Sequence, residues 1–127
     1  MKLWPRPNQF MSKQNDWVYL RHIADSIVRV EDLIARGGRA LFDQDFAIQN
    51  AVVRELEVIG EAAAQISDDF WAKYQELPKK EMIGMRNRLI HGYAEVDLGR
   101  IWDTATSDIP KLKQQIEKIL ADEGLKE

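Results

Sequence analysis

The stretch AVVRELEVIGEAAAQI, residues 51–66, predicts a helix with apolar side chains on more than one side. One face is indicated by apolar residues spaced four, three, four and three apart: Val52, Leu56, Ile59, Ala63 and Ile66. Val58 and Ala62 widen this face, so we expect the helix to pack on more than one neighbour. Gly60 has no side chain and would let one of those neighbours approach closely.

Apolar residues at helical spacing also occur before and after this stretch. The first set lies between Asp16, the expected N-cap of its helix, and the glycine pair at 37–38: Leu20, Ile23, Ile27, Val30 and Ile34. The last set follows Asp97, another expected N-cap: Trp102, Ala105, Ile109, Leu112, Ile116 and Ile119. Pro110 should kink or split this last helix near Asp108, because proline removes a backbone donor and clashes with the preceding turn.

The intervening segments complete a helical bundle. We expect the central helix to begin near Asp43 or Asp45, and one or two turns of aromatic helix over residues 70–74 to follow the N-cap cluster Ser67-Asp68-Asp69. A further helix is predicted over residues 79–91, from the position after Pro78 to the glycine at 92. Since no segment alternates with the period of a strand, the predicted fold is all-α, an up-and-down bundle of four to five helices.

Composition narrows the classes of protein that this chain can represent. Its 127 residues suit one domain, which we place at residues 13–127 behind a tail or extension at residues 1–12. The chain has no Cys and two His, which excludes thiolate chemistry and gives no expectation of a metal site. A net charge of −3 does not favour general DNA binding. Since no segment resembles a signal peptide or a membrane span, we expect a cytoplasmic protein without a membrane partner.

The segment GMRNRLIH, residues 84–91, places polar residues in an otherwise apolar helix. Helical geometry puts Arg86 within the arc of Met82, Leu89 and Ile90, whereas Asn87 and His91 lie about 40° apart on another side and could form one polar wall. Arg86 and His91 are separated by about 140° and about 7.5 Å along the axis. A second copy of the helix could bring these two side chains together.

Two interpretations of Arg86 and His91 follow from the residues alone. In the structural one, Arg86 pairs with Glu55, Glu57 or Glu61 and His91 stabilises the C-terminus of its helix. In the functional one, the histidine exchanges a proton near neutral pH and the guanidinium binds phosphate. RNA carries its own 2′-OH beside each phosphate, so cleavage without metal needs only a base, an acid and charge stabilisation.

The remaining candidates have simpler explanations. His22 is expected at the surface or at an interface, and the Trp and Phe residues are expected to pack in the core. Tyr93 follows the predicted helix stop and should be exposed, which suits a contact or a modification site.

Several segments together resemble one known family. RNRLIHGY fits the Arg-x4-His motif, extended by x-Tyr, of the HEPN superfamily, and closely resembles HepT-like toxins of HEPN/MNT toxin–antitoxin systems. The flanking segments match in the same order: YLRHI, VVRELEVIGEAA, MIGMRNRLIHGY and VDLGRIWDTATSDIPKL. The resemblance covers roughly residues 16–121.

This resemblance implies a homodimeric, metal-independent ribonuclease toxin that acts on tRNA or mRNA. Arg86 and His91 would be the catalytic pair, lining a cleft shared by two copies, and Asn87 and Arg88 would support phosphate binding. Tyr93 matches the tyrosine that a cognate minimal nucleotidyltransferase antitoxin AMPylates with ATP. The toxin itself would need no cofactor.

An alternative from another class stays open. The chain could be a non-catalytic helical interaction or nucleotide-binding module that has the same fold. In that case replacing Arg86 would lower stability or dimerisation, and RNA would stay intact.

Overall fold

The structure, a computed structural model, describes residues 12–91 and 97–123, and within those residues every regular element is helical. Seven α-helices occur in the described ranges: α1 Ser12–Ala35, α2 Gly38–Gln44, α3 Phe46–Gln65, α4 Asp68–Lys73, α5 Lys79–His91, α6 Leu98–Asp103 and α7 Ile109–Asp122. A π-helical turn, Thr104–Asp108, joins α6 to α7. The prediction of an all-α bundle is confirmed.

The central helix α3 packs most extensively against α1 and α5. Its predicted face is buried, with Val52, Leu56 and Ile59 each 0% exposed. The matching face of α1 is also buried: Leu20, Ile23, Ile27 and Val30. Burying each side chain of this size stabilises the fold by about 1.5–3 kcal/mol. The contact between α1 and α3 is therefore a main source of the stability of the core.

The start of α3 lies at one of the predicted positions, but a further helix precedes it. Asp45 is the N-cap, and its carboxylate accepts a hydrogen bond from the backbone N–H of Ile48 at 3.0 Å. The segment before it forms α2, which the sequence did not predict. Gly38 begins α2 with a φ of +63°, a left-handed conformation that glycine adopts readily. Phe42 in α2 is buried, and the centroid of its ring lies 5.3 Å from the centroid of the Trp102 ring.

The expectation for Asp16 was wrong. Asp16 lies within α1, which already includes Ser12, the last residue of the predicted tail, and it is only 4% exposed. Its carboxylate accepts hydrogen bonds from the backbone N–H of Ser67 at 2.8 Å and from the Ser67 hydroxyl at 2.6 Å. A buried carboxylate is retained because these donors satisfy it, and it ties α1 to the start of α4.

Helix α4 begins two residues before the predicted aromatic segment, at Asp68, and ends at Lys73, whereas the predicted bounds of α5 agree with the structure. Ser67 is the N-cap of α4, because its hydroxyl accepts a hydrogen bond from the backbone N–H of Phe70. Helix α5 extends over Lys79–His91 as predicted.

The interruption of the last helix is also confirmed. Asp97 caps α6 by accepting from the backbone N–H of Arg100 at 3.2 Å. The π-helical turn Thr104–Asp108 follows, and Pro110 lies in the first turn of α7. The hydroxyl of Thr106 donates to the carbonyl of Trp102 at 2.8 Å, so a side chain also bonds to the backbone where the helical pattern changes.

The described Trp and Phe residues pack in the core or against it, as expected, except Phe46; Trp17 and Trp102 are partly buried. Phe42, Phe70 and Trp71 are buried, whereas Phe46 at the start of α3 is 72% exposed. In residues 12–91 and 97–123, no helix combines the length and the apolar composition that crossing a membrane requires.

Candidate active site

Helix α5 carries the two residues that the sequence singles out, Arg86 and His91. It is fixed to the core by the buried side chains of Met82 and Leu89 and packs against α3. Because Arg86 and His91 are five residues apart, fixing this helix also fixes the directions in which they leave it.

Arg86 leaves α5 where this helix passes close to Gly60 of α3. A Cβ atom added to Gly60 of α3 would overlap the Cβ of Arg86 and lie 2.7 Å from the carbonyl oxygen of Met82. The absent side chain of Gly60 therefore provides the space for the Arg86 stem. The sequence anticipated a close neighbour at Gly60, and the structure identifies it as α5.

The guanidinium of Arg86 lacks the carboxylate partner that the structural interpretation assigned to it. Its Nη1 donates to the Asn87 side-chain oxygen at 2.9 Å, and its buried Nε has no hydrogen-bond partner. Glu61 pairs instead with Arg54 at 3.0 Å, and Glu55 pairs with Arg29 at 3.5 Å. Among the described residues, Arg86 forms no ion pair.

His91 is exposed at the end of α5 and lines a cavity of about 930 Å³. The walls of this cavity come mainly from α5, α6, the π-helical turn and α7, and we call it the α5–α7 cavity. Arg88 also lines it, together with Arg100 and Lys111, which the sequence analysis missed. The position of Arg100 three residues after the N-cap Asp97 placed it in a first helical turn but gave no sign of this neighbourhood.

The structure separates the candidate residues into two groups. Arg86 and Asn87 are joined by a hydrogen bond, whereas His91 and Arg88 line the α5–α7 cavity. The expected common wall of Asn87 and His91 is therefore replaced by a pairing of Asn87 with Arg86. No described hydrogen bond links Arg86 to His91, which agrees with the helical geometry.

The other named candidates lie elsewhere. His22 is exposed on α1, as expected, and its ring forms an edge contact with that of Tyr19 at 5.9 Å. The predicted modification site Tyr93 lies outside the described residues. Within the described part of the chain, no three His, Asp or Glu side chains are grouped in a way that would hold a metal ion.

Three side chains away from the candidate site have shifted pKa values: Lys73, Tyr74 and Glu123, which join the end of α4 to the end of α7. Hydrogen bonds from the Tyr74 hydroxyl and then from the Lys73 ammonium, which lies 2.9 Å away, lower the pKa of Glu123 below its ordinary value. Burial, followed by the bond to Glu123, raises the pKa of Tyr74. The same carboxylate raises the pKa of Lys73 through its hydrogen bond. This cluster fastens two helices and contains none of the candidate site residues.

The fold and the site define a small all-α protein that presents an arginine and a histidine from one helix. Comparison of sequences then identifies the family: the chain belongs to the ribonuclease HepT-like family, whose model matches residues 23–119. The resemblance stated from the motifs is therefore confirmed.

Individual relatives carry matching names. A "probable ribonuclease HepT" of Thermococcus cleftensis is 42% identical over 101 residues, which cover 80% of this chain and 92% of that protein. A "putative RNase" of Methanocaldococcus jannaschii is 49% identical over 81 residues, covering 64% of this chain and 67% of the relative.

A longer protein of the same archaeon, named "gamma-glutamylcyclotransferase and putative RNase", is 41% identical over 103 residues. The match covers 81% of this chain but only 46% of that relative, so the chain spans less than half of its length. No solved structure matches the chain.

Proposed function

We propose that this chain is a metal-independent endoribonuclease and the toxin of a type VII-like toxin–antitoxin pair. Its family and the names of its relatives support an action on RNA. The observation that carries the proposal is the state of Arg86, a half-buried cation with one neutral partner and an unpaired, buried Nε. An unsatisfied buried donor costs about 1–3 kcal/mol, so binding an anion explains this residue better than folding does.

The proposed reaction uses the RNA itself as the nucleophile. The 2′-oxygen attacks the adjacent phosphorus as its proton leaves, and the bond from phosphorus to the 5′-oxygen breaks as that oxygen gains a proton. His91 transfers one of these protons as general base or acid. Arg86 stabilises the charge that develops on the phosphate oxygens, Asn87 orients Arg86 through its Nη1, and Arg88 binds a neighbouring phosphate.

Two copies of the chain would form the complete site. Arg86 and His91 belong to different groups of side chains on one protomer, so a single α5 presents them poorly to one phosphate. In a homodimer, Arg86 of one protomer can face His91 of the other across a shared cleft. We propose that arrangement, with tRNA or mRNA as the substrate.

The central test is RNA cleavage by the purified, unmodified protein in excess EDTA. We expect cleavage, and we expect His91→Ala to slow it by about 10²–10⁴-fold, the range that positioned acid–base groups contribute. The chain supplies its own control, because His22→Ala removes the other, exposed histidine and should leave the rate unchanged. Equal rates for the two variants would show that His91 has no catalytic part.

Regulation is proposed at Tyr93. A cognate minimal nucleotidyltransferase would transfer AMP from ATP to the phenol in the cytoplasm, releasing pyrophosphate, and the added anionic group would repel RNA. Incubation with that enzyme, ATP and Mg²⁺ should add the mass of one AMP, and Tyr93→Phe should remain unmodified. Modification of the Phe variant would assign the reaction to another residue.

The separation of Arg86 from His91 within one protomer favours a second candidate, a non-catalytic interaction or nucleotide-binding module. This candidate predicts that Arg86→Ala lowers stability or dimerisation and that the parent protein leaves RNA intact. Reproducible cleavage that depends on His91 rules it out.

A further inference from the structure

The α5–α7 cavity has two chemically different ends. One end is lined by His91, the last residue of α5, and by Asp97 and Arg100 at the start of α6. The other end lies near the beginning of α5, where the Gln115 side chain donates to the carbonyl of Glu76 at 3.0 Å. Glu81 lines the cavity from the first turn of α5. We call the end at Arg100 the cationic end; its one carboxylate, Asp97, caps α6. The other end carries Glu81, and Asp108 and Lys111 also line the cavity.

Arg88 and Arg100, two of the three cations that line this cavity, are available to an outside ligand. Neither Arg88 nor Arg100 forms an ion pair with a described residue, unlike Arg29, Arg36, Arg39 and Arg54, which all pair with carboxylates. The carboxylate of Asp97 already accepts the backbone N–H of Arg100 as the cap of α6. Guanidinium groups in this state are suited to a phosphate, which can accept two hydrogen bonds from one arginine.

The floor between the two ends is apolar. Its side chains include Met82, Met85, Leu89, Ile101 and Ile109. Methionine adapts its shape and contacts flat aromatic rings favourably, so this surface suits the face of a nucleobase. The volume of about 930 Å³ lies within the range of pockets that hold small organic ligands.

We propose that the α5–α7 cavity binds one unpaired nucleotide of the RNA, with its phosphate at Arg88 and Arg100 and its base on the methionine floor. The proposal rests on the proposed ribonuclease function, since His91 at the rim would then face the chain next to that phosphate. Carboxylates at the far end can accept hydrogen bonds from base amino groups. A base can enter only when it is unpaired, so the cavity selects single-stranded segments.

Binding of mononucleotides tests the cationic end without any cleavage step. Titration calorimetry of the full chain with 5′-AMP, 5′-CMP, 5′-GMP and 5′-UMP should detect binding that weakens as salt is added. We expect Arg100→Ala to lower the affinity about tenfold or more, the loss expected for one charge-assisted hydrogen bond. The matched control, Lys118→Ala, removes an exposed cation of α7 outside the cavity and should bind as the parent does.

The contact between the base and the methionine floor is tested with a larger side chain at Met85 and with ligands that lack a base. Met85→Trp should weaken mononucleotide binding while circular dichroism shows an unchanged helical content, and ribose 5-phosphate and inorganic phosphate should bind more weakly than every mononucleotide. If Met85→Trp unfolds, Met85→Ala replaces it; enlarging the floor then weakens base contact. Equal affinity for inorganic phosphate and mononucleotides, equal effects of Arg100→Ala and Lys118→Ala, or no binding at all would each overturn the proposal.

The two proposals fail in different assays. RNA left intact by the unmodified parent contradicts the ribonuclease function, whatever the mononucleotides do. For an active parent, Arg100→Ala should raise the KM for single-stranded RNA about tenfold and change kcat little, because the lost contact is equally strong in the bound substrate and in the transition state. An unchanged KM would show that the cavity is not used by the substrate.

Discussion

Gly60 shows how one residue can hold another in place without touching a ligand. The Cβ of Arg86 occupies the space that a side chain at position 60 would need. Glycine in the middle of a helix costs about 1 kcal/mol relative to alanine, so its presence in α3 is explained by the approach of α5. The direction of the Arg86 side chain thus depends on a residue of another helix.

Replacing Gly60 by alanine should therefore destabilise the protein. The new methyl group would meet the Met82 carbonyl at 2.7 Å, and backbone cannot rotate away as a flexible side chain can. We expect a loss of about 1–3 kcal/mol in the free energy of unfolding, from overpacking that exceeds the gain in helix propensity. Urea unfolding measures this change.

The control is a glycine in the other helix of the same contact. A Cβ at Gly84 would lie 3.4 Å from Arg88 Nη1, the end of a flexible side chain, so Gly84→Ala should be neutral or should stabilise by up to about 1 kcal/mol. Equal effects at the two positions would mean that the approach of α3 to α5 is not what requires Gly60.

For single residues, the sequence shows which polar side chains need a partner but not which groups they bond to. Aspartate is a favoured N-cap residue, which is why Asp16 was expected to cap its helix. Its carboxylate is buried instead, because a hydroxyl and a backbone N–H from 51 positions away satisfy it. Arg86 could be placed on an apolar arc by counting residues, yet its bond to Asn87 depends on side-chain torsions that helical periodicity does not contain.

The ends of helices α4 and α7 are joined by hydrogen bonds and an ion pair. Glu123, directly after α7, accepts hydrogen bonds from Lys73 and Tyr74 at the end of α4. Because these donors lower the pKa of Glu123, its contribution to stability is complete above its ordinary pKa of 4.5 and is lost as the pH falls through the lowered value. The pKa values of Lys73 and Tyr74 are raised instead. Their contribution to stability is therefore complete at neutral pH and is lost as the pH rises through the raised values.

Substituting Glu123 should reveal this dependence on pH. Glu123→Gln should have a lower Tm than the parent at neutral pH, and the difference should shrink as the pH falls below 4.5 and through the lowered pKa of Glu123, because the parent's carboxylate then becomes protonated. The readout is thermal unfolding followed by circular dichroism across that range. Glu117→Gln, which alters an exposed residue of α7, should not reproduce the pattern; a difference that persisted in acid would assign the effect to packing.

Element boundaries were predictable where the chain carries strong local signals. Pro78 and the glycine at 92 enclose α5, and Asp45, Ser67 and Asp97 all cap the helices that follow them. The missed helix α2 has 7 residues, too few for a 3.6-residue period to be recognised, and the glycine pair before it reads as an end rather than a beginning.

For the whole molecule, the main consequence concerns the two sides of α5. Arg86 lies against α3, and His91 faces the α5–α7 cavity. The sequence could predict that the two side chains diverge, since this follows from helical geometry. The cavity could not be predicted, because it is formed by α6 and α7, whose position relative to α5 is set by tertiary packing.

If two protomers share the site, two inactive variants should restore one another. An equal mixture of Arg86→Ala and His91→Ala protomers, unfolded together and refolded, gives about one half heterodimers, each with one intact pair of residues and one doubly substituted pair. RNA cleavage should return to about a quarter of the parent's rate, since one of two sites works in half of the dimers. Each variant refolded alone is the control, and a mixture as inactive as its components would place both residues of a site on the same chain.

The π-helical turn between α6 and α7 has a consequence for how the chain length can vary. Such a turn accommodates one residue more than the α-helical turn it replaces, so the surplus at Thr104–Asp108 is absorbed locally. Removing one residue there would convert the turn to an α-helix and leave Ile101 and Leu112 facing the core on either side of it. The same deletion in the middle of α3 would rotate everything beyond it by about 100°. In this protein, the loss of one residue is therefore tolerated best beside the proline.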